Sequence, residues 1–147
     1  MSYQEAKYAT SFFTTFVIST IYALRVRAMY NAGYFDGSDS SSLTGRAILI
    51  LIGAIIVGAI IGQILLAIIT AIFGAELEMN EDERDRQIEL RAMNVAFTLL
   101  GFCFLGSMIL LALGRTPFVI FHLITFGMIL AGLGADLYRI WLHRRGF

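Results

Sequence analysis

The chain has few charged residues, a single cysteine and no net charge. Only 15% of its 147 residues are charged, against about 25% in an average soluble domain, which argues against a water-soluble protein. Cys103 has no second cysteine to pair with, so an internal disulfide is excluded; it lies in an apolar run and is expected to be a small hydrophobic residue. A formal net charge of zero gives no electrostatic case for direct nucleic-acid binding.

Sequence motifs of catalytic and metal sites are missing as well. The chain has no HExxH segment, no Cys/His cluster, no glycine-rich phosphate loop and no nucleophile elbow. We therefore expect no enzyme activity, no catalytic residue, no bound metal and no cofactor. Gln63 is the one polar side chain near the middle of an apolar run, which offers little of the polar path that a transporter needs.

Long apolar runs dominate what the sequence does contain. Hydrophobic residues make up 58% of the chain, and about 20 of them in succession suffice to cross a bilayer. With their flanks, four uncharged runs predict spans at about 8–28, 46–73, 92–114 and 116–138. The predicted fold is all-α: one polytopic integral membrane domain over 1–147, built as a four-helix transmembrane bundle. The Gly-, Ser- and Asp-rich residues 29–44 are expected to form a flexible connector.

A charged segment at 76–91 interrupts these runs between the second and third spans. No Gly or Pro occurs from Asn80 to Leu100, so a helix capped by Asn80 is expected to continue unbroken into the third span. The prediction is a rigid cytosolic extension of the third helix, with Glu83 and Arg86 paired at i,i+3. As the most distinctive exposed surface, it is the tentative partner-binding site, formed by Asp82, Glu83, Arg84, Asp85, Arg86, Glu89 and Arg91.

Three helices carry strips of small or hydroxyl residues at i, i+4, i+8, which let helix backbones approach closely in a membrane. The strips are Ser11, Thr15 and Ser19 in the first span, Ala54, Gly58 and Gly62 in the second, and Gly127, Ala131 and Ala135 in the fourth. We expect them to seal the helices of one chain against each other. A homodimer seam is the open alternative.

Polar groups inside a span are costly and are functional candidates by default. They are Gln63, Asn94, His122 and Asp136. We expect Asp136 to pair with Arg139 at i+3 and Asn94 to bond a backbone carbonyl, although a contact between Asn94 and Asp136 is conceivable from their similar depth. His122 is more simply a satisfied polar residue than a ligand or proton carrier.

The distribution of Lys and Arg predicts the orientation. Seven bases flank the spans on the side that holds both termini and the charged segment, and four (Arg25, Arg27, Arg46 and Arg115) lie on the other side. Because basic loops stay in the cytoplasm, both termini are predicted to be cytosolic.

The stretch Asp82-Glu83-Arg84-Asp85, followed by Ile88-Glu89-Leu90-Arg91, resembles the central loop of a family of small, uncharacterised four-span bacterial membrane proteins. That resemblance implies a bacterial inner-membrane location and, because members look like gene neighbours of small helix-turn-helix regulators, a transcriptional regulator as the partner. Our first hypothesis is thus a non-enzymatic inner-membrane protein that binds a protein partner through its charged loop. The second is an accessory subunit of a larger respiratory or photosynthetic membrane complex. A small transporter or ion-responsive sensor is the weakest.

Overall fold

The computed structural model describes residues 3–72 and 83–145, and these form four helices and no strand. The helices are α1 (Tyr3–Asn31), α2 (Ser40–Ile72), α3 (Glu83–Ala112) and α4 (Pro117–Arg144). Each is long and apolar enough to cross a membrane. The all-α prediction is confirmed, and every helix begins before the apolar run that predicted it, apart from α4. The predicted cap Asn80, with Asp82, lies outside the described residues.

Glycines end α1 and α3 in the same way. Gly33 and Gly114 have φ angles of 73° and 68°, a left-handed conformation that a residue without a Cβ adopts at little cost. The next amide in each case donates to a carbonyl five residues back, Tyr34 N–H to Met29 and Arg115 N–H to Leu110. This is the Schellman arrangement of helix C-termini.

The connector between α1 and α2 is shorter than predicted. Helix α1 extends to Asn31 and α2 begins at Ser40, so the expectation of a flexible segment over 29–44 is wrong at both ends. The Thr44 hydroxyl donates to the Ser40 carbonyl at 2.7 Å, and Thr44 is fully buried. Serine and threonine readily satisfy backbone groups in a first helical turn, and their polarity obscured the helix in the sequence.

Each helix runs antiparallel to the one before it in the chain, and α4 packs against the other three helices. Helices α1, α2 and α3 all pack against α4, and α1 also packs against α2, whereas within the described ranges α3 packs against α4 alone. The start of α1, the end of α2, the start of α3 and the end of α4 therefore lie at one end of the molecule, which we call the terminal end. Most apolar side chains of α2 and α3 face outward, including Ile50, Ile72, Phe97 and Phe102.

Glycines of α2 bring its backbone against α1. A Cβ on Gly58 would lie 2.5 Å from the Ile18 Cδ1, and one on Gly62 would lie 3.1 Å from the Thr10 Cγ2. The α1 surface that they meet is formed by Thr10, Thr14 and Ile18. It lies one residue away from the predicted strip of Ser11, Thr15 and Ser19.

The small residues of the α4 strip are buried, and Gly127 packs against α3. Gly127, Ala131 and Ala135 are all buried, and a Cβ on Gly127 would lie 2.5 Å from the Cys103 Cβ. Ser19 is also buried, but its hydroxyl donates to the Thr15 carbonyl of its own helix at 2.6 Å. The described packing uses the glycines of α2 and α4 inside one chain.

Candidate functional site

An ionic cluster centred on Arg139 joins α3 to α4 at the terminal end. The Arg139 Nε and Nη2 donate to the two carboxylate oxygens of Glu89, both at 2.7 Å, and Nη1 donates to the Asp136 Oδ1, also at 2.7 Å. The side chains of Arg139 and Asp136 are only 14% and 11% exposed, while Glu89 is 40% exposed. A bidentate pair with a third donor engaged fixes the guanidinium geometrically. We call Glu89, Asp136 and Arg139 the ionic cluster.

Helix α1 contacts the ionic cluster through the aromatic ring of Tyr8. The Arg139 guanidinium carbon lies 5.2 Å from the centre of the Tyr8 ring, within the range of a cation–π contact. The same ring stacks on His143, one turn further along α4, at a centroid distance of 5.8 Å. The His143 Nδ1 lies 3.7 Å from the Asp85 Oδ1. Tyr8 therefore bridges two α4 residues that each face an acid of α3.

The charged start of α3 is amphipathic, which explains how it reaches α4. Asp85, Ile88, Glu89 and Ala92 follow the i, i+3, i+4, i+7 spacing of a single helix face. Ile88 and Ala92 are fully buried, and the two acids beside them face His143 and Arg139. We call these four residues the inner face of α3. Burial of two apolar side chains and one bidentate ion pair anchors the segment along α4.

A second stripe on the same helix points away from α4. Glu83, Arg86, Gln87 and Leu90 have the same spacing as the inner face and are all exposed. We call them the outer face of α3. Among the ion pairs of the described residues, none joins Glu83 to Arg86, so that predicted pair is wrong. The Arg84 guanidinium instead approaches the His143 carbonyl at 3.4 Å.

A polar cavity of about 480 Å³ opens beside the ionic cluster. All four helices contribute to its walls, which are formed by Lys7, Tyr8, Ser11, Gln63, Asp85, Glu89, Asp136 and Arg139. The Gln63 side chain donates to the Lys7 carbonyl at 3.3 Å, so it holds α2 to the start of α1. The arrangement gathers two bases and three acids at the terminal end. Within the described ranges, no three His, Cys, Asp or Glu side chains are grouped to hold a metal ion.

His122 belongs to a separate aromatic group at the other end of the molecule. Its Nδ1 lies 2.8 Å from the Phe118 carbonyl, which can only accept, so Nδ1 carries the proton. The neutral ring then accepts at Nε2 from the Tyr22 hydroxyl, 3.0 Å away. The Phe118 ring packs against the imidazole at a centroid distance of 4.2 Å, with the two ring planes tilted by 37°. Both nitrogens of this buried histidine thus have partners, as expected of a satisfied polar residue.

The structure brings the predicted polar residues together only in part. Asp136 pairs with Arg139 as expected, but its neighbour on α3 is Glu89 rather than Asn94. Asn94 is exposed. It follows the buried Ala92 by two residues, which is a rotation of about 200° around the helix axis, so its side chain points away from α4. Position along the predicted spans brought α3 and α4 residues of similar height together, and helix phase decides which residue at that height faces α4.

Comparison with known proteins gives no relative. No family model, no curated protein and no solved structure matches this chain. The geometry of the terminal end therefore carries the functional argument by itself.

Proposed function

We propose that the chain is a non-enzymatic protein of the bacterial inner membrane that binds a protein partner through the outer face of α3. It spans the membrane four times as a helical bundle, with the terminal end in the cytosol. Four helices of sufficient length and apolarity support insertion. The excess of Lys and Arg at the terminal end supports the orientation.

The observation that carries the docking proposal is the anchored start of α3. A partner gains affinity from a surface that is already ordered, because less conformational entropy is lost on binding. Glu89 with Arg139, and the buried Ile88, order the segment from its inner face. The outer face then presents an acid, a base, an amide and a leucine in one stripe, at the end of the molecule where cytosolic proteins have access. A soluble transcriptional regulator is the partner we favour.

A second candidate function has its own supporting observation. Helix α3 packs on α4 alone among the described helices, and its other sides carry large uncovered side chains such as Phe97, Phe102 and Ile109. Lipid acyl chains can cover such an apolar surface, and so can a neighbouring subunit. An accessory subunit of a larger respiratory or photosynthetic complex would use these apolar sides.

Site-specific photo-crosslinking in native membranes separates the two functions. A photoreactive residue replaces Gln87 on the outer face in one variant and Phe102 on the apolar side in another. The first function predicts a crosslink to a soluble polypeptide from position 87 and only lipid adducts from position 102. Crosslinks to integral membrane polypeptides from position 102, with none from 87, would favour the accessory subunit and refute the docking proposal.

A charge swap provides the matched control for the crosslink at position 87. The double variant Glu83→Arg/Arg86→Glu keeps net charge and composition constant while reversing the outer face. We expect the crosslink yield to fall at least tenfold. Arg144→Glu changes an exposed base at the same end and is expected to leave the yield unchanged; an equal fall in both variants would indicate non-specific attraction.

A further inference from the structure

An apolar groove runs between α1 and α2 at the end of the molecule away from the termini. Its volume is about 650 Å³, and its walls are almost entirely hydrophobic, with Ile18, Ile21, Val26, Ile50 and Leu51 among them. Along α1 it reaches from Ile18 to Met29, which is about 16 Å of helix at 1.5 Å per residue. That is roughly half of the ~30 Å hydrocarbon core, or the depth of one leaflet.

Two arginines line this otherwise apolar groove. Arg25 comes from α1 and Arg46 from α2, and both are exposed. With Gly58 opposite Ile18 in the antiparallel pair, the two bases lie within about two helical turns of each other along the groove. No ion pair between described residues includes Arg25 or Arg46, so neither groove arginine has a carboxylate partner in the described part of the chain.

The position of Arg25 and Arg46 differs from the usual distribution of basic residues in membrane proteins. Bases are depleted on the side of a membrane protein that faces away from the cytoplasm, yet Arg25 and Arg46 lie there in the proposed orientation. Long basic side chains keep their charge at the headgroup level while their stems stay in the apolar region. Two guanidinium groups in the outer half of the groove, with apolar walls below them, complement a phosphate that carries an acyl chain.

We infer that this groove binds one molecule of an anionic phospholipid. An acyl chain lies between α1 and α2, and Arg25 and Arg46 hold the phosphate, which guanidinium groups recognise by paired N–H donors. The inference rests on the proposed membrane insertion and is independent of the protein partner. An anionic headgroup is favoured over a choline headgroup because the latter would place a further cation beside two arginines.

Native mass spectrometry of the purified protein, titrated with phosphatidylglycerol in detergent, tests the inference. We expect one tightly retained phosphatidylglycerol, and at least tenfold weaker retention of phosphatidylcholine of the same chain length. Arg25→Gln/Arg46→Gln should lower the apparent affinity for phosphatidylglycerol about ten- to thirty-fold. Arg27→Gln/Arg115→Gln removes two exposed bases from the same end that do not line the groove, and it should have little effect.

A variant that fills the groove tests the acyl chain separately. Ala47 lines the groove, so Ala47→Phe should weaken retention while leaving both arginines in place. Soluble glycerol phosphate should not compete at concentrations where phosphatidylglycerol is retained. The inference is overturned if both double variants lose affinity equally, if the two lipids bind alike, or if glycerol phosphate displaces the lipid. It is also overturned if both Ala47→Phe and the groove double variant retain full binding.

Discussion

Replacing Gly127 with alanine is expected to destabilise the protein, although alanine is the better helix former. The new Cβ would lie 2.5 Å from the Cys103 Cβ and 2.6 Å from its Sγ. Because a Cβ is fixed to the backbone, no side-chain rotation relieves the clash and α3 must move away from α4. Overpacking of this kind costs about 1–3 kcal/mol. The free energy of unfolding, measured by SDS titration in mixed micelles, should fall by about that amount.

Two further variants isolate the clash. Gly132 lies on the same helix, and a Cβ added there would have no neighbouring atom within 4 Å, so Gly132→Ala should be neutral or stabilising by up to about 1 kcal/mol from helix propensity. Cys103→Gly removes the opposing Cβ and should recover part of the stability lost in Gly127→Ala. Equal effects of alanine at positions 127 and 132 would show that α3 and α4 do not meet at Gly127.

Replacing Arg139 with glutamine is expected to have the largest effect of any single charge substitution. It leaves Asp136 buried and Glu89 half-buried, each without its cation. Removal of one partner from a buried ion pair costs on the order of 3–5 kcal/mol, and the partial exposure of Glu89 places this case at the lower end. The free energy of unfolding in mixed micelles should fall accordingly. The backbone amide hydrogens at the start of α3 should exchange with solvent faster than in the unmodified protein.

The control for this prediction neutralises the cluster completely. In Glu89→Gln/Asp136→Asn/Arg139→Gln no charge is left unpaired, so this triple variant should be more stable than Arg139→Gln alone. Arg144→Gln removes an exposed base from the same helix and should change stability by less than about 0.5 kcal/mol. If the triple variant were less stable than the single one, the cost would not come from unpaired carboxylates.

Composition and run length were sufficient to predict the helices, because an uncharged run of about 20 residues has few alternatives to a membrane-spanning helix. The unbroken α3 followed from the absence of Gly and Pro around its start, and the described part from Glu83 onward is continuous. Asp136 with Arg139 was also predictable, since residues at i,i+3 are neighbours on any helix.

The contacts between helices were not predictable in the same way. Glu89 and Arg139 are 50 residues apart, and nothing local joins them. The i, i+3, i+4, i+7 spacing of Asp85, Ile88, Glu89 and Ala92 was a usable signal for an inner face, but the abundance of charge around it suggested a fully solvated helix. In a membrane helix almost every face is apolar, so hydrophobic periodicity does not identify the buried side.

We propose that the anchored start of α3 faces the cytosol, where a soluble partner reaches it. Cysteine accessibility in intact cells tests this most directly, in a Cys103→Ala background with Ser40→Cys or Glu83→Cys as the only thiol. We expect a membrane-impermeant maleimide to label position 40 in intact cells and position 83 only after the membrane is opened. Labelling of position 83 in intact cells would contradict it.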